Sequence, residues 1–154
     1  MSQTLEEYHA RIEAMMVEGE GWMAARDPAT ADLVKRRIAD SALLIASYQL
    51  FVHREVFVPM LDGADASTRA RINELKVECI ALTEDLRFNV KDFMGKVEAA
   101  PLDWDTVAAK VEWFNNRVRK HIAAVREMMA PSLSDADHAR LRARRTAPVG
   151  VQAA

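Results

Sequence analysis

The stretch Val107-Ala-Ala-Lys-Val111-Glu-Trp-Phe114-Asn-Asn-Arg-Val118-Arg-Lys-His121-Ile-Ala-Ala-Val125-Arg-Glu-Met128-Met129 decides the fold. Its apolar positions Val107, Val111, Phe114, Val118, Val125 and Met128 recur at alternating spacings of four and three once His121 fills the slot between Val118 and Val125. That is the periodicity of one face of an α-helix. A stripe so narrow belongs in the seam of a helix bundle rather than against a sheet. His121 therefore points into a packed interior, and what it touches is much of the functional question.

Working outward, the same pattern predicts three more helices. Leu5, His9, Ile12, Met16 and, past the weak point at Gly19 and Gly21, Met23 share one line, which predicts a first helix over about Leu5 to Arg26. Asp27-Pro28 supplies an N-cap and a proline at the first helical position, where its missing N–H costs little. The second helix starts there, buries Val34, Ile38, Ala42, Ile45, Val52 and Val56, carries Gln49 and His53 on the same line, and stops at Pro59. After the connection Leu61-Asp62-Gly63, Asp65 or Ser67 caps a third helix with the inner line Ile72, Leu75, Cys79, Leu82, Leu86, Val90, Phe93 and Val97. Asp103 caps the fourth helix and Pro131 ends it. Ser134 and Asp137 form a capping-box-like pair ahead of a short basic helix, and the tail after Thr146 frays. The expected architecture is all-α: an antiparallel up-down-up-down four-helix bundle over residues 1–133, with a short C-terminal helical extension in the segment 134–154.

At 154 residues, half of them hydrophobic, the chain is sized for one core without disulfide staples. Its 21 basic and 23 acidic residues are intermixed and leave a net charge of -2, which argues against nucleic acid and against an anionic membrane surface as partners. The absence of a signal-like or bilayer-length apolar run points to a cytoplasmic protein, and the single cysteine, Cys79, suits a reducing compartment. No nucleophile with a base and an orienting group appears, nor any phosphate-binding loop, so an enzymatic role is the least favoured class. The methionines, including Met15-Met16 and Met128-Met129, read as adaptable core filling. Trp104 reads as packing at a bundle end, His138 as solvated, and the cluster Arg140, Arg142, Arg144 and Arg145 as a solvated face that could dock an acidic protein partner.

The phrases Phe51-Val-His-Arg-Glu-Val-Phe-Val-Pro59-Met-Leu and His121-Ile-Ala-Ala-Val-Arg-Glu-Met-Met-Ala-Pro131-Ser-Leu resemble the two His-x-x-x-Glu…Pro helix endings of hemerythrin-like (HHE) proteins. The resemblance covers about residues 5 to 133. It implies an antiparallel four-helix bundle which, in typical members, holds two oxo-bridged irons by five histidines and two carboxylates and binds or senses dioxygen. His9 matches the histidine of the first helix and His121 that of the fourth. Gln49 stands where a second-helix histidine belongs, His53 where a bridging glutamate belongs, and Val125 at the second carboxylate position. On the third helix the family's Glu-His pair is Glu78-Cys79, with Thr83 in the next inward slot. Two cations need hard carboxylate bridges to sit side by side, so the expectation is against a di-iron centre.

What remains inward is His9, His53, Cys79 and His121, one residue from each helix. This soft nitrogen and sulfur set suits one zinc or one iron, with Gln49 or Glu13 orienting an imidazole. Set against it, a single inward histidine is more often a hydrogen-bonded core residue, and a cysteine in an aliphatic line a small hydrophobe. The expected function is a hemerythrin-like metal-binding or oxygen- and redox-sensing module with a remodelled site. The alternative is a metal-free bundle that kept the fold, lost the chemistry and acts as a regulatory protein-interaction module.

Overall fold

The computed structural model describes residues 3–97 and 101–146, with side chains over 3–96 and 101–130. The described residues are helical apart from short caps and connections, with no strand among them: α1 (Leu5–Ala25), a 3-10 turn (Pro28–Thr30), α2 (Ala31–Val52), a π turn (His53–Phe57), α3 (Val58–Leu61), α4 (Ala66–Val97) and α5 (Trp104–Thr146).

Local chemistry sets each start. Thr4 and Glu7 form a reciprocal capping box on α1: the Glu7 N–H donates to the Thr4 hydroxyl at 3.2 Å and the Thr4 N–H to the Glu7 carboxylate at 2.7 Å. Asp27 accepts from the Ala29 N–H at 2.9 Å, Asp65 from the Thr68 N–H at 2.7 Å and Asp103 from the Thr106 N–H at 3.3 Å, so each expected aspartate satisfies an N–H that the helix itself leaves free. Those bonds favour the ionised carboxyl, and Asp65 and Asp103 are held below the usual carboxylate range by them. Arg26 takes the left-handed conformation, φ 49°, and its N–H closes α1 on the Trp22 carbonyl at 2.9 Å.

Two expected stops are corrected. Pro59 does not end the second helix, which runs on to Leu61 by widening just before the proline: the Val58 N–H reaches back five residues to the His53 carbonyl. The π turn relieves the clash that a proline ring makes with the carbonyl four residues earlier. Pro131 does not end the fourth helix either, since α5 continues to Thr146. A proline removes one ladder bond while holding φ at a helical value, and the helix formers Arg126 to Ala130 and Ala139 to Ala143 carry the helix across it. The basic segment is thus continuous with α5 rather than a separate short helix. The side chains of Ser134, Asp137, His138 and the four arginines lie outside the described residues.

Each long helix packs against two others: α1 on α2 and α5, and α4 on α2 and α5. Side-chain pairs climb one helix as they descend the next. Between α1 and α5 they are Glu6 with Arg126, Glu13 with Arg119 and Arg26 with Asp105; between α4 and α5, Glu78 with His121 and Asp85 with Arg117. The interior falls into two apolar clusters. The larger holds Ile12, Met16, Ile45, Val52, Phe57, Ile72, Leu75, Cys79, Leu82, Phe114, Val118 and Val125, and the smaller holds Met23, Val34, Leu102 and Val107 with Trp22 and Trp104 partly buried against it. Among the described residues no helix is long and apolar enough to cross a membrane.

Candidate interior site

The polar residues of the larger cluster lie where the inner lines of α1, α2, α4 and α5 meet. His9, on the line of Ile12 and Met16, is 1% exposed, and so is His121, on the line of Val118 and Val125. Tyr48 of α2 contacts both. Its hydroxyl lies 3.2 Å from His9 Nε2, and its ring meets the His121 ring edge-on, centroids 6.0 Å apart at 82°. Glu78 brings Oε1 to 3.8 Å from His121 Nδ1, beyond hydrogen-bond reach. Cys79 is buried and free. His53, half-buried in the π turn, packs against Phe57 with the rings tilted by 47° and centroids 5.4 Å apart.

Among the described residues four buried imidazole nitrogens have no hydrogen-bond partner: His9 Nδ1, His53 Nε2, and both Nδ1 and Nε2 of His121. An imidazole in such a setting stays neutral, because charging it in a dry interior is costly. Burial pushes His9 down to about 4, with the Arg126 charge adding to the effect and Glu6 opposing it. Burial pushes His121 down to about 4 as well, with repulsion from His9 and His53 secondary. His53 is lowered by burial and then by Lys76. At 3.8 Å the Glu78 carboxylate does not overcome the desolvation of His121. Burial pushes the Cys79 thiol up to about 12, helped by the Glu78 charge, and raises the Tyr48 phenol. At neutral pH the layer is a set of uncharged donors and acceptors with spare lone pairs, and Cys79 is a thiol rather than a reactive thiolate.

The structure brings His9, Cys79 and His121 into the core, as expected, and leaves His53 at its side. These four do not gather into a cage: among the described residues no group of three or more His, Cys, Asp or Glu is arranged to hold a metal ion. The physical reason is Tyr48, whose ring packs against both His9 and His121. The two-iron centre that the resemblance implies does not fit either. Its carboxylate positions are the half-buried His53 and the fully buried Val125, and neither can bridge two hard cations. Glu13 does not orient an imidazole; it is exposed and accepts from Arg119 at 3.0 Å, because a position one turn after His9 is rotated outward by about 40°. Gln49 is half-buried and makes no hydrogen bond to an imidazole among the described residues.

Sequence reasoning missed Tyr48 and Asn115. The signal for Tyr48 was the spacing Ile45, Tyr48, Val52, Val56, which is the buried line of the second helix; placing Gln49 on that line put the inward face one residue off. Asn115 is buried, and its side-chain amide donates to Glu20 at 3.1 Å. Nothing in the sequence set it apart from Asn116 except its place beside Phe114. No protein-family model, curated protein or solved structure matches the chain.

Proposed function

We propose that the chain is a hemerythrin-like antiparallel up-down-up-down four-helix bundle that acts as a metal-binding or redox-sensing module with a remodelled interior site. The observation that carries this reading is the group of four buried imidazole nitrogens without partners. Each such atom costs about 1–3 kcal/mol if nothing satisfies it, so the layer has unused capacity for a ligand. The opposed pairing ladders support the bundle, and the retained inward histidines His9 and His121 support the family reading. One zinc or one iron is the cation that imidazole and thiol donors suit. Binding it would require Tyr48 to yield and the side chains to converge.

A second reading has its own support. Tyr48 hydrogen-bonded to His9 and packed on His121 is already a compact neutral network. On this reading the chain is a metal-free regulatory interaction module, with exposed Leu43 and Leu50 on α2 and Phe88 on α4 available to a protein partner and the basic end of α5 as a further contact for an acidic one.

Metal analysis of protein purified without an affinity tag, followed by titration with cobalt(II), separates the two. The first reading expects one equivalent, with visible ligand-field bands and a near-ultraviolet thiolate band that Cys79→Ser removes. No stoichiometric uptake would overturn it in favour of the second. Anaerobic loading with ferrous iron and exposure to air is expected to give no oxo-bridge absorption, and two irons per chain with that absorption would refute the remodelled site.

A further inference from the structure

A cavity of about 130 Å³ lies in the other part of the bundle, away from the imidazole layer, between α1, α2, α4 and α5. Its walls are apolar and aromatic, with Met16, Trp22, Phe93 and Phe114 among them. An apolar cavity of roughly this size holds a benzene-sized group rather than ordered water. The polar groups on its lining are mostly committed already: Ser41 donates to the Ile38 carbonyl at 2.6 Å, Asn89 to the Asp85 carbonyl at 2.8 Å and Asn115 to Glu20 at 3.1 Å. What is left are two cations. Arg37 has Glu18 at 3.9 Å, whereas Lys110 is exposed and has no ion-pair partner among the described residues. No carboxylate lines the cavity among the described residues.

We propose that this cavity binds a small amphiphilic carboxylate, its ring or short chain inside the apolar walls and its carboxylate at the Lys110 ammonium. An apolar body with a single anionic head complements a wall without acids and with a free cation at its edge. The neutral imidazole layer takes no part, so the site stands whether or not that layer binds a metal.

Gly19 allows a direct test. It lines the cavity, lies within α1 at an ordinary helical φ, and a Cβ built on it meets no atom within 4 Å. The probes are phenylacetate, benzyl alcohol and benzylamine, which share a body and differ in the charge of the head. Binding is read by calorimetry and by the tryptophan fluorescence that Trp22 contributes. The expected result is saturable 1:1 binding in the order phenylacetate, benzyl alcohol, benzylamine, with phenylacetate ahead of benzylamine by about tenfold or more, the equivalent of one charge-assisted contact. Gly19→Met should fill the space and abolish binding of all three. Lys110→Gln, a surface change that leaves the fold intact, should bring phenylacetate down to the level of benzyl alcohol. Equal affinity for phenylacetate and benzylamine, or no saturable binding of any probe, overturns the proposal. So does phenylacetate binding that is unchanged in Lys110→Gln.

Discussion

The two parts of the helical interior depart from ideal packing in opposite ways. Around Tyr48 the interior is filled, with Ile12, Val52, Ile72, Leu75 and Val125 fully buried, yet it holds four imidazole nitrogens that nothing among the described residues satisfies. Around Met23, Val34 and Val107 the lining is nearly all apolar, but it leaves a cavity of about 130 Å³. One region gives up polar satisfaction and the other gives up packing contacts, and each kind of deficit is where a ligand gains most on binding. A bundle optimised for stability alone would show neither.

The largest expected effect tests the claim that the first region is tightly filled. Leu82→Ala should cost about 2–5 kcal/mol, because a side chain 3% exposed leaves a void its neighbours cannot close. The comparison sharpens with two equal truncations. Val118→Ala, in the filled region, should cost more than Val107→Ala, whose side chain borders existing empty space and has fewer contacts to lose. Urea unfolding measures all three. If Val107→Ala were the costlier valine change, or Leu82→Ala neutral, the contrast would fail.

The next effect belongs to the polar layer alone. His9 and His121 titrate near 4 in the folded protein against 6.5 for an ordinary histidine. Below pH 6.5 the unfolded chain takes up protons that the native layer refuses. The stability of the folded state is therefore complete above pH 6.5, falls as pH drops and levels off below about 4. At pH 5 the loss is about 2 kcal/mol for each imidazole, from about 1.4 kcal/mol per pH unit. Urea titrations of chelator-treated protein at pH 7 and pH 5 measure it, and His121→Gln should remove close to half of the difference. A stability that is flat between those two values would mean the imidazoles are not held neutral by burial.

Tyr48→Phe comes third. It keeps the ring against His121 and removes the one hydrogen-bond partner that His9 has among the described residues, the Tyr48 hydroxyl at 3.2 Å from Nε2, so it should cost about 1–2 kcal/mol. A neutral outcome would mean that the hydroxyl contributes no net stability to the layer.

What the sequence disclosed follows from how local each feature is. The inner line of α5 and the aspartate caps depend on spacing and on side-chain chemistry within one turn, and Val107, Phe114, Val118, His121, Val125, Asp27, Asp65 and Asp103 all sit as their positions require. The two proline stops failed because a helix can answer a proline with a π turn, or continue past it, and which it does is decided by tertiary packing that no local rule contains. Burial of His9, Cys79 and His121 was legible from periodicity, whereas their mutual geometry was not. That depends on the rotation of α2, where a shift of one position exchanges Gln49 for Tyr48 as the residue facing the imidazoles.

The smallest expected effect tests the looser region from the stabilising side. Gly19 lies inside α1 and faces the cavity, and nothing lies within 4 Å of the Cβ it lacks. Gly19→Ala should therefore gain about 0.5–1 kcal/mol from the restricted unfolded chain alone, with a further small gain from apolar contacts inside the cavity. Gly21, in the same helix with equally open space but exposed and away from the lining, supplies the control. Its alanine variant should gain the backbone part only. Thermal unfolding of the two variants side by side measures the difference. If Gly19→Ala exceeds Gly21→Ala, the excess reports on space inside the helical interior rather than on helix propensity; if the two are equal, the cavity wall at Gly19 is open to solvent and the region is less enclosed than its lining implies.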